Sequence, residues 1–181
     1  MKKKNIIELT RISCDDYRRL DKLPLRLMAD NVRSASNIGA MLRTSDAFKV
    51  KEVVMAGISA VPPSPEISKS SLGAEDSVAW RHVEDACAEV ARLKAKGVLV
   101  IVLEQIHDSV SLQDFADVYA RIGEGREMLL VVGNEVNGVD QRIVDMADVA
   151  LEIPMHGIKH SLNVSVSAGI ALWEIYKCVN G

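Results

Sequence analysis

The chain contains few residues of the kinds that cross-link a protein or anchor it in a membrane. Its 181 residues include three cysteines, none in a CxxC pair, and 4% aromatic residues. Scattered, unpaired cysteines are typical of a reducing compartment, so we predict a cytoplasmic location. No apolar run reaches the roughly 18 residues that a membrane-spanning helix needs. The basic start is not followed by the apolar segment of a secretory signal, so neither a membrane nor secretion is expected.

What remains is typical of a globular domain whose charge is unevenly distributed. The hydrophobic fraction of 48% is enough to bury a core without disulfides or metals. The net charge is −3, yet residues 1–50 hold 11 Lys/Arg and 6 Asp/Glu, whereas the rest holds 11 and 19. This excess predicts either a basic surface for nucleic acid or a solubilising tail, and charge alone does not decide between them. The basic residues concerned are Lys2, Lys3, Lys4, Arg11, Arg18, Arg19, Lys22 and Arg26.

Apolar segments that predict strands alternate along the chain with segments of helical period. The predicted strands are 25–29, 52–56, 98–103, 128–132 and 149–153. The predicted helices are 15–22, 34–48, 83–96, 140–146 and 165–179. This alternation predicts an α/β fold with a mainly parallel sheet flanked by helices. We expect one domain over 25–181, preceded by a short basic extension over 1–24.

Three polar or glycine-containing blocks follow predicted strands, at the sheet edge where α/β proteins bind ligands. In the first, 31–44, Asn37 and Arg43 lie on the side of a helix away from the core, and their groups suit ribose and phosphate. In the second, 131–138, two glycines five residues apart suggest a tight loop near a ligand. Neither block matches a dinucleotide or nucleoside-triphosphate motif. Each block alone also fits an ordinary helix face or turn.

The third block, 153–167, runs from a strand through a loop into a helix that Ser161 or Asn163 can cap. The free N–H groups at the start of that helix are available to a ligand. His156 and His160 stand four residues apart in this loop, but no cysteine or carboxylate accompanies them. We therefore predict no metal site.

Together, in this order and near these spacings, the three blocks resemble the signature motifs of the SpoU (TrmH) branch of the SPOUT methyltransferases. The strongest match is Ser-Leu-Asn-Val-Ser at 161–165, and the resemblance spans 25–176. It implies an α/β domain with a C-terminal trefoil knot, formed by the segments after Val132 and Ile153. It also implies S-adenosylmethionine as cofactor, RNA as substrate and a homodimer to which the final helix contributes. Trp173 on that helix fits either an anchor of the interface or a core residue.

The resemblance further implies which residues form the site. Arg43 would lie beside the attacking ribose 2′-hydroxyl and Asn37 would orient it, while Glu135, Ser161 and Asn163 match the other polar site residues. The cofactor-binding residues would be Leu103, Gly133, Ile153, Met155 and Leu162.

The chemical role of Arg43 stays open between two alternatives. A guanidinium normally only donates hydrogen bonds, so acting as a base would require help from an RNA phosphate. Otherwise Arg43 binds that phosphate and stabilises the developing alkoxide electrostatically. Physical grounds favour the second role.

The leading functional hypothesis is an RNA 2′-O-ribose methyltransferase. Only about 24 residues precede the first predicted strand, too few for the RNA-binding domain of some relatives, so tRNA is favoured over rRNA. One alternative is a non-catalytic RNA-binding or ribosome assembly factor, against which the complete set of polar site residues argues. Another is a small-molecule O-methyltransferase, which the net acidity favours and which salt-sensitive RNA binding would exclude.

Overall fold

Parallel strands form the centre of the computed structural model, which describes residues 1, 3, 5 and 12–181. The strands are β1 (Leu23–Asp30), β2 (Val50–Ala56), β3 (Trp80–Val83), β4 (Leu99–Leu103), β5 (Val110–Ser111), β6 (Met128–Val132) and β7 (Val149–Glu152). They join in one sheet in the order β3-β2-β1-β6-β4-β7-β5. Every neighbouring pair is parallel. The predicted mainly parallel sheet is therefore confirmed, while the knot stays a prediction.

Helices cover both faces of the sheet. They are α1 (Cys14–Arg19), α2 (Ala35–Ala47), α3 (Pro65–Ser71), α4 (Ala74–Ser77), α5 (Ala86–Lys94), α6 (Phe115–Val118), α7 (Gln141–Met146) and α8 (Val164–Asn180). The cores on the two faces are separate: α2, α3, α6 and α8 contribute to one, and α5 and α7 to the other. Successive strand residues alternate between these cores, which explains why the central strands are apolar throughout. Among the residues described, no helix is both long and apolar enough to cross a bilayer.

The predicted helix over 83–96 is wrong at its start. Residues Trp80–Val83 form β3, which pairs in parallel with β2, and the helix begins only at Ala86. Asp85 supplies the cap, since its carboxylate accepts a hydrogen bond from the Ala88 amide at 3.0 Å. The apolar side chain of Val83 thus packs from a strand, and its spacing from the helical stripe is coincidental.

Pro62, Pro63 and Pro65 predict a stiff loop after β2, but two short helices, α3 and α4, lie in this part of the chain. Pro65 lies in the first turn of α3, where a missing amide hydrogen costs nothing, and the Ser64 side chain caps this helix. Short helices such as α3 and α4 have too few turns to show a period in the sequence, so the loop prediction missed them.

The helix α1, within the predicted extension, packs on the domain. The Tyr17 hydroxyl donates to the Asp46 carbonyl at 3.0 Å, and Arg18 donates to the Asp76 carbonyl at 2.7 Å. The predicted extension and domain therefore contact each other at the ends of α2 and α4. Of the residues expected to form a basic surface, Lys2, Lys4 and Arg11 lie outside the described residues.

Candidate active site

A pocket of about 580 Å³ lies where β4, β6 and β7 end. Its walls come from the residues that follow these strands and from the start of α8, as expected for ligand sites of parallel sheets. All five residues that the sequence analysis predicted to bind the cofactor line it: Leu103, Gly133, Ile153, Met155 and Leu162. The structure thus brings them together, although their part in binding a cofactor stays a prediction.

The lining of this pocket combines apolar side chains with negatively charged ones. It contains the carboxylates of Glu104, Glu135 and Glu152, and no lysine, arginine or histidine from the described part of the chain. Such a pocket repels a phosphate and favours a ligand that carries positive charge. The apolar part can cover a flat ring, and it consists of Leu103, Val132, Val136, Leu151, Ile153, Met155, Leu162 and Val164.

A tight turn after β6 forms one wall of the pocket. The side-chain oxygen of Asn134 accepts hydrogen bonds from the amides of Val136 and Asn137 at 3.0 and 2.9 Å. Asn134 and Gly138 also exchange backbone hydrogen bonds, and Gly138 has a φ of 68°. This turn folds the backbone of Gly138 directly over Gly133, where a Cβ atom would overlap it. Only glycine fits at residue 133.

Glu104 holds this turn in place, and the sequence analysis did not identify it. Its carboxylate accepts hydrogen bonds from the Val139 amide at 3.0 Å and the Gln105 amide at 2.9 Å. The Gln105 side chain donates to the His160 carbonyl at 2.9 Å, which connects the loop after β4 to the loop after β7. The position of Glu104, immediately after a buried strand, was the available signal.

Three of the predicted polar residues are connected by hydrogen bonds. The Asn37 side chain donates to the Glu135 carboxylate at 2.6 Å, and its oxygen accepts from the Asn163 side chain at 3.1 Å. These residues are 98 and 126 positions apart in the chain. Asn163 also caps α8 by accepting from the amides of Ser165 and Val166. Asn37 therefore connects α2 to two walls of the pocket, and Ser161 lies in its lining.

Arg43 is placed differently from the other predicted polar residues. It lies on α2 six residues beyond Asn37, about 9 Å along the axis, and its side chain is exposed. It is not among the residues that line the pocket. The structure therefore does not bring Arg43 to the wall of the cofactor pocket, and its role stays a prediction.

Asp30, at the end of β1, is a buried carboxylate that the sequence analysis missed. It accepts hydrogen bonds from the Asp140 amide at 3.0 Å and from the Asn31 side chain at 2.8 Å. These bonds connect β1 to the start of α7. Burial raises the pKa of Asp30, although the hydrogen bond from the Asp140 amide partly offsets this shift.

The raised pKa of Asp30 predicts a specific pH dependence of stability. Between its unfolded value, about 3.9, and its higher folded value, the folded state keeps a proton that the unfolded state has released. The contribution of Asp30 therefore falls as pH rises through this window. We expect Asp30→Asn to lose this contribution, so that the variant gains stability relative to the wild type as pH rises.

Urea unfolding at a series of pH values measures this difference. Asp21→Asn removes the same charge from an exposed side chain and should follow the wild-type curve. A constant difference between wild type and Asp30→Asn at all pH values would contradict the assignment.

With the fold and the pocket described, comparison with known proteins gives the family. The chain belongs to the SpoU rRNA methylase family, whose profile matches residues 24–173. The family resemblance seen in the sequence is therefore confirmed. The chain is 33% identical to the Nitrosomonas europaea protein named 23S rRNA (guanosine-2′-O-)-methyltransferase RlmB, over 84% of this chain and 56% of that one.

Two solved structures share the fold. The A. aeolicus TrmH/SpoU tRNA modifying enzyme is 29% identical with a TM-score of 0.76, over 91% of this chain and 81% of that one. The SpoU methyltransferase AviRb from Streptomyces viridochromogenes, solved in complex with AdoMet, is 24% identical with a TM-score of 0.75, over 90% and 63%. The chain spans little more than half the length of the RlmB relative.

Proposed function

We propose that this protein transfers a methyl group from S-adenosylmethionine to a ribose 2′-hydroxyl of RNA. The observation that carries the proposal is the connection of Asn37 to Glu135 and Asn163 beside the pocket. Family membership supports the reaction class, since the RlmB relative is named as a 2′-O-methyltransferase.

The pocket fits S-adenosylmethionine in shape and in charge. Its volume lies in the range of small-molecule sites. The cofactor bears a positive sulfonium and a positive ammonium against one carboxylate, and the pocket wall bears Glu104, Glu135 and Glu152. We expect the apolar side chains around Leu103 and Leu162 to cover its adenine, while the close turn at Gly133 presents backbone groups to it. When bound, the cofactor supplies a methyl group that is already activated for displacement.

The ribose oxygen gains the methyl group and releases its proton to water, so the work left to the protein is alignment and charge stabilisation. Glu135 and Asn163 hold both ends of the Asn37 amide, so this side chain is fixed before any substrate arrives. A fixed amide can orient the ribose hydroxyl without further ordering, which lowers the entropic part of the barrier. In this proposal Arg43 binds an RNA phosphate and stabilises the negative charge that develops on the ribose oxygen.

We propose tRNA rather than rRNA as the substrate class. The A. aeolicus tRNA modifying enzyme, which is 29% identical with a TM-score of 0.76, supports this choice. The direct experiment incubates the protein with labelled S-adenosylmethionine and separated tRNA and rRNA, then maps any 2′-O-methyl nucleotide. Label in neither pool would overturn the proposal. Label in a small molecule alone would favour the small-molecule O-methyltransferase alternative. We propose a cytoplasmic location for the enzyme.

We propose that α8 mediates a homodimer. Four apolar side chains form one row, three of them on α8 and one on the residue before its cap. Between 38% and 50% of each is exposed. A row of this kind marks an interface between proteins. At its end, Trp173 packs against Phe48 and Tyr176 with ring centroids 5.8 and 6.0 Å apart. The row consists of Leu162, Val166, Ile170 and Trp173.

Ile170→Glu is expected to convert the dimer into a monomer, because the interface would have to bury an unpaired carboxylate. Sedimentation velocity at micromolar concentration measures the change. Ile122→Glu is the matched control, since Ile122 and Ile170 are each 40% exposed, and it should keep the wild-type mass. A wild-type monomer, or a dimeric Ile170→Glu variant, would contradict the proposed interface.

A further inference from the structure

A second cleft, of about 500 Å³, lies at the sheet edge where β4 and β6 begin. It is therefore at the opposite end of the strands from the cofactor pocket. Five cationic side chains line it, together with the carboxylates of Glu52 and Glu127. The cationic residues are Arg26, Arg81, Arg92, Lys96 and Arg126.

Three carboxylates hold most of these cations in fixed positions. Glu127 pairs with Arg26 at 2.6 Å and with Lys51, and Glu52 pairs with Arg26 and with Arg81 at 3.4 and 3.0 Å. Glu89, which is buried, accepts two hydrogen bonds from Arg92 and pairs with Arg81. Arg26, Arg81 and Arg92 are thus ordered before any partner binds.

The cleft keeps an excess of positive charge after all these ion pairs are counted. Hydrogen bonds from Lys51 and Arg26 lower the pKa of Glu127, and hydrogen bonds from Arg92 lower that of Glu89, so both are ionised at neutral pH. The cleft and the side chains paired with its lining therefore contain six cationic and three anionic side chains. An excess of three positive charges stands out on a chain whose net charge is −3.

Two cations at the cleft have no carboxylate partner among the described residues. The Arg126 guanidinium donates to the main-chain carbonyls of Gly97 and Ile122 at 3.0 to 3.2 Å, which positions it without neutralising its charge. Lys96 is exposed and forms no ion pair within the part of the chain that the structure describes. An ammonium and an oriented guanidinium that line one cleft suit an anionic oxygen group such as phosphate.

We propose that this cleft binds phosphate groups of the RNA substrate at a distance from the methylated nucleotide. The proposal rests on the proposed function, because it takes RNA as the polyanion that the protein meets. Among the residues that the structure describes, none of those lining the cofactor pocket is cationic, so contacts that hold the RNA backbone are expected on other surfaces. The cleft is one such surface, with ordered cations and room for an anion.

The distance between the two sites determines which RNA can use both. The five residues of β4 separate them by roughly 13 Å along the strand, which exceeds the spacing of adjacent phosphates. The phosphate in the cleft therefore belongs to a nucleotide that is not adjacent to the target. The cleft should strengthen binding of a folded RNA and have no effect on an oligonucleotide around the target that is too short to reach from one site to the other.

The test measures binding of the full chain to unmodified tRNA and to a short target oligonucleotide at several salt concentrations. Lys96→Gln removes one cation whose side chain forms no ion pair with the described residues. Each lost phosphate contact reduces the slope of log K against log salt by about one, and we expect Kd for the folded RNA to rise about three- to tenfold. The affinity for S-adenosylmethionine and for the oligonucleotide should not change.

Arg121→Gln is the matched control, because it removes one positive charge from an exposed side chain that lines a different groove. If Lys96→Gln keeps the wild-type Kd and salt slope, or if Arg121→Gln weakens binding equally, the proposal is overturned. Failure of the proposed function has a different signature, in which the wild type transfers no methyl group to any RNA. Arg126→Gln tests the second unpaired cation of the cleft in the same binding experiment. Its thermal unfolding is measured as well, because Arg126 donates hydrogen bonds to main-chain carbonyls.

Discussion

Arg43→Ala is expected to reduce methyl transfer to RNA by at least about a hundredfold, the cost of removing one preorganised donor to a developing oxyanion. Affinity for S-adenosylmethionine should be unchanged, because Arg43 is exposed and does not line the pocket. Its loss should not unfold the protein, since an exposed side chain contributes little to stability. Single-turnover transfer and calorimetric titration of the cofactor measure the two quantities separately.

Arg121→Ala removes an equally exposed arginine and should leave transfer unaffected. Normal turnover in Arg43→Ala would exclude Arg43 from the mechanism. Arg43→Lys distinguishes the roles of charge and geometry: it keeps the positive charge but not the planar fork that binds a phosphate through two hydrogen bonds. Full activity of Arg43→Lys near neutral pH would show that the fork is not needed.

Gly133→Ala should produce the second large effect, a loss of about a hundredfold in affinity for S-adenosylmethionine together with about 1–3 kcal/mol of stability. The added methyl group would occupy the space of the Gly138 carbonyl group and the Val139 amide. Both atoms belong to backbone, so neither can rotate away as a side chain would. The turn must move outward, and it would lose the hydrogen bond from the Val139 amide to Glu104.

The control for this variant is Gly157→Ala. A Cβ atom at residue 157 would meet nothing within 4 Å, so the added methyl group there should change neither the affinity nor the melting temperature. Cofactor titration and thermal unfolding of the two variants together measure the contrast. Wild-type affinity in Gly133→Ala would show that the close contact of this turn does not shape the binding pocket.

The central sheet was predictable from the sequence because its strands are buried on both sides. In β4 and β6 every residue is apolar, so a simple run identifies each strand, and the caps and glycines mark where they end. β3 was missed for the opposite reason. It lies at the edge of the sheet and its residues are only partly buried, so their polarity does not alternate clearly.

The sequence pointed to residues that lie in recognisable blocks and missed residues that act on a distant partner. Asn37, Glu135 and Asn163 each lie in a block, and they do meet. Glu104 and Asp30 follow or end strands, but their importance depends on backbone amides 35 and 110 residues further along the chain. No local pattern records such a pairing. The exposed position of Arg43 relative to the pocket likewise depends on the packing of α2.

The segment 133–140 is hydrogen-bonded to three other elements of the protein. It is joined to α2 through Glu135, to β4 through Glu104 and to β1 through Asp30. Ligand binding in the pocket and the orientation of the Asn37 side chain therefore both depend on the position of this segment. Thermodynamic linkage makes this relation symmetrical. If a bound cofactor raises the affinity for the ribose by some factor, a bound ribose raises the affinity for the cofactor by the same factor.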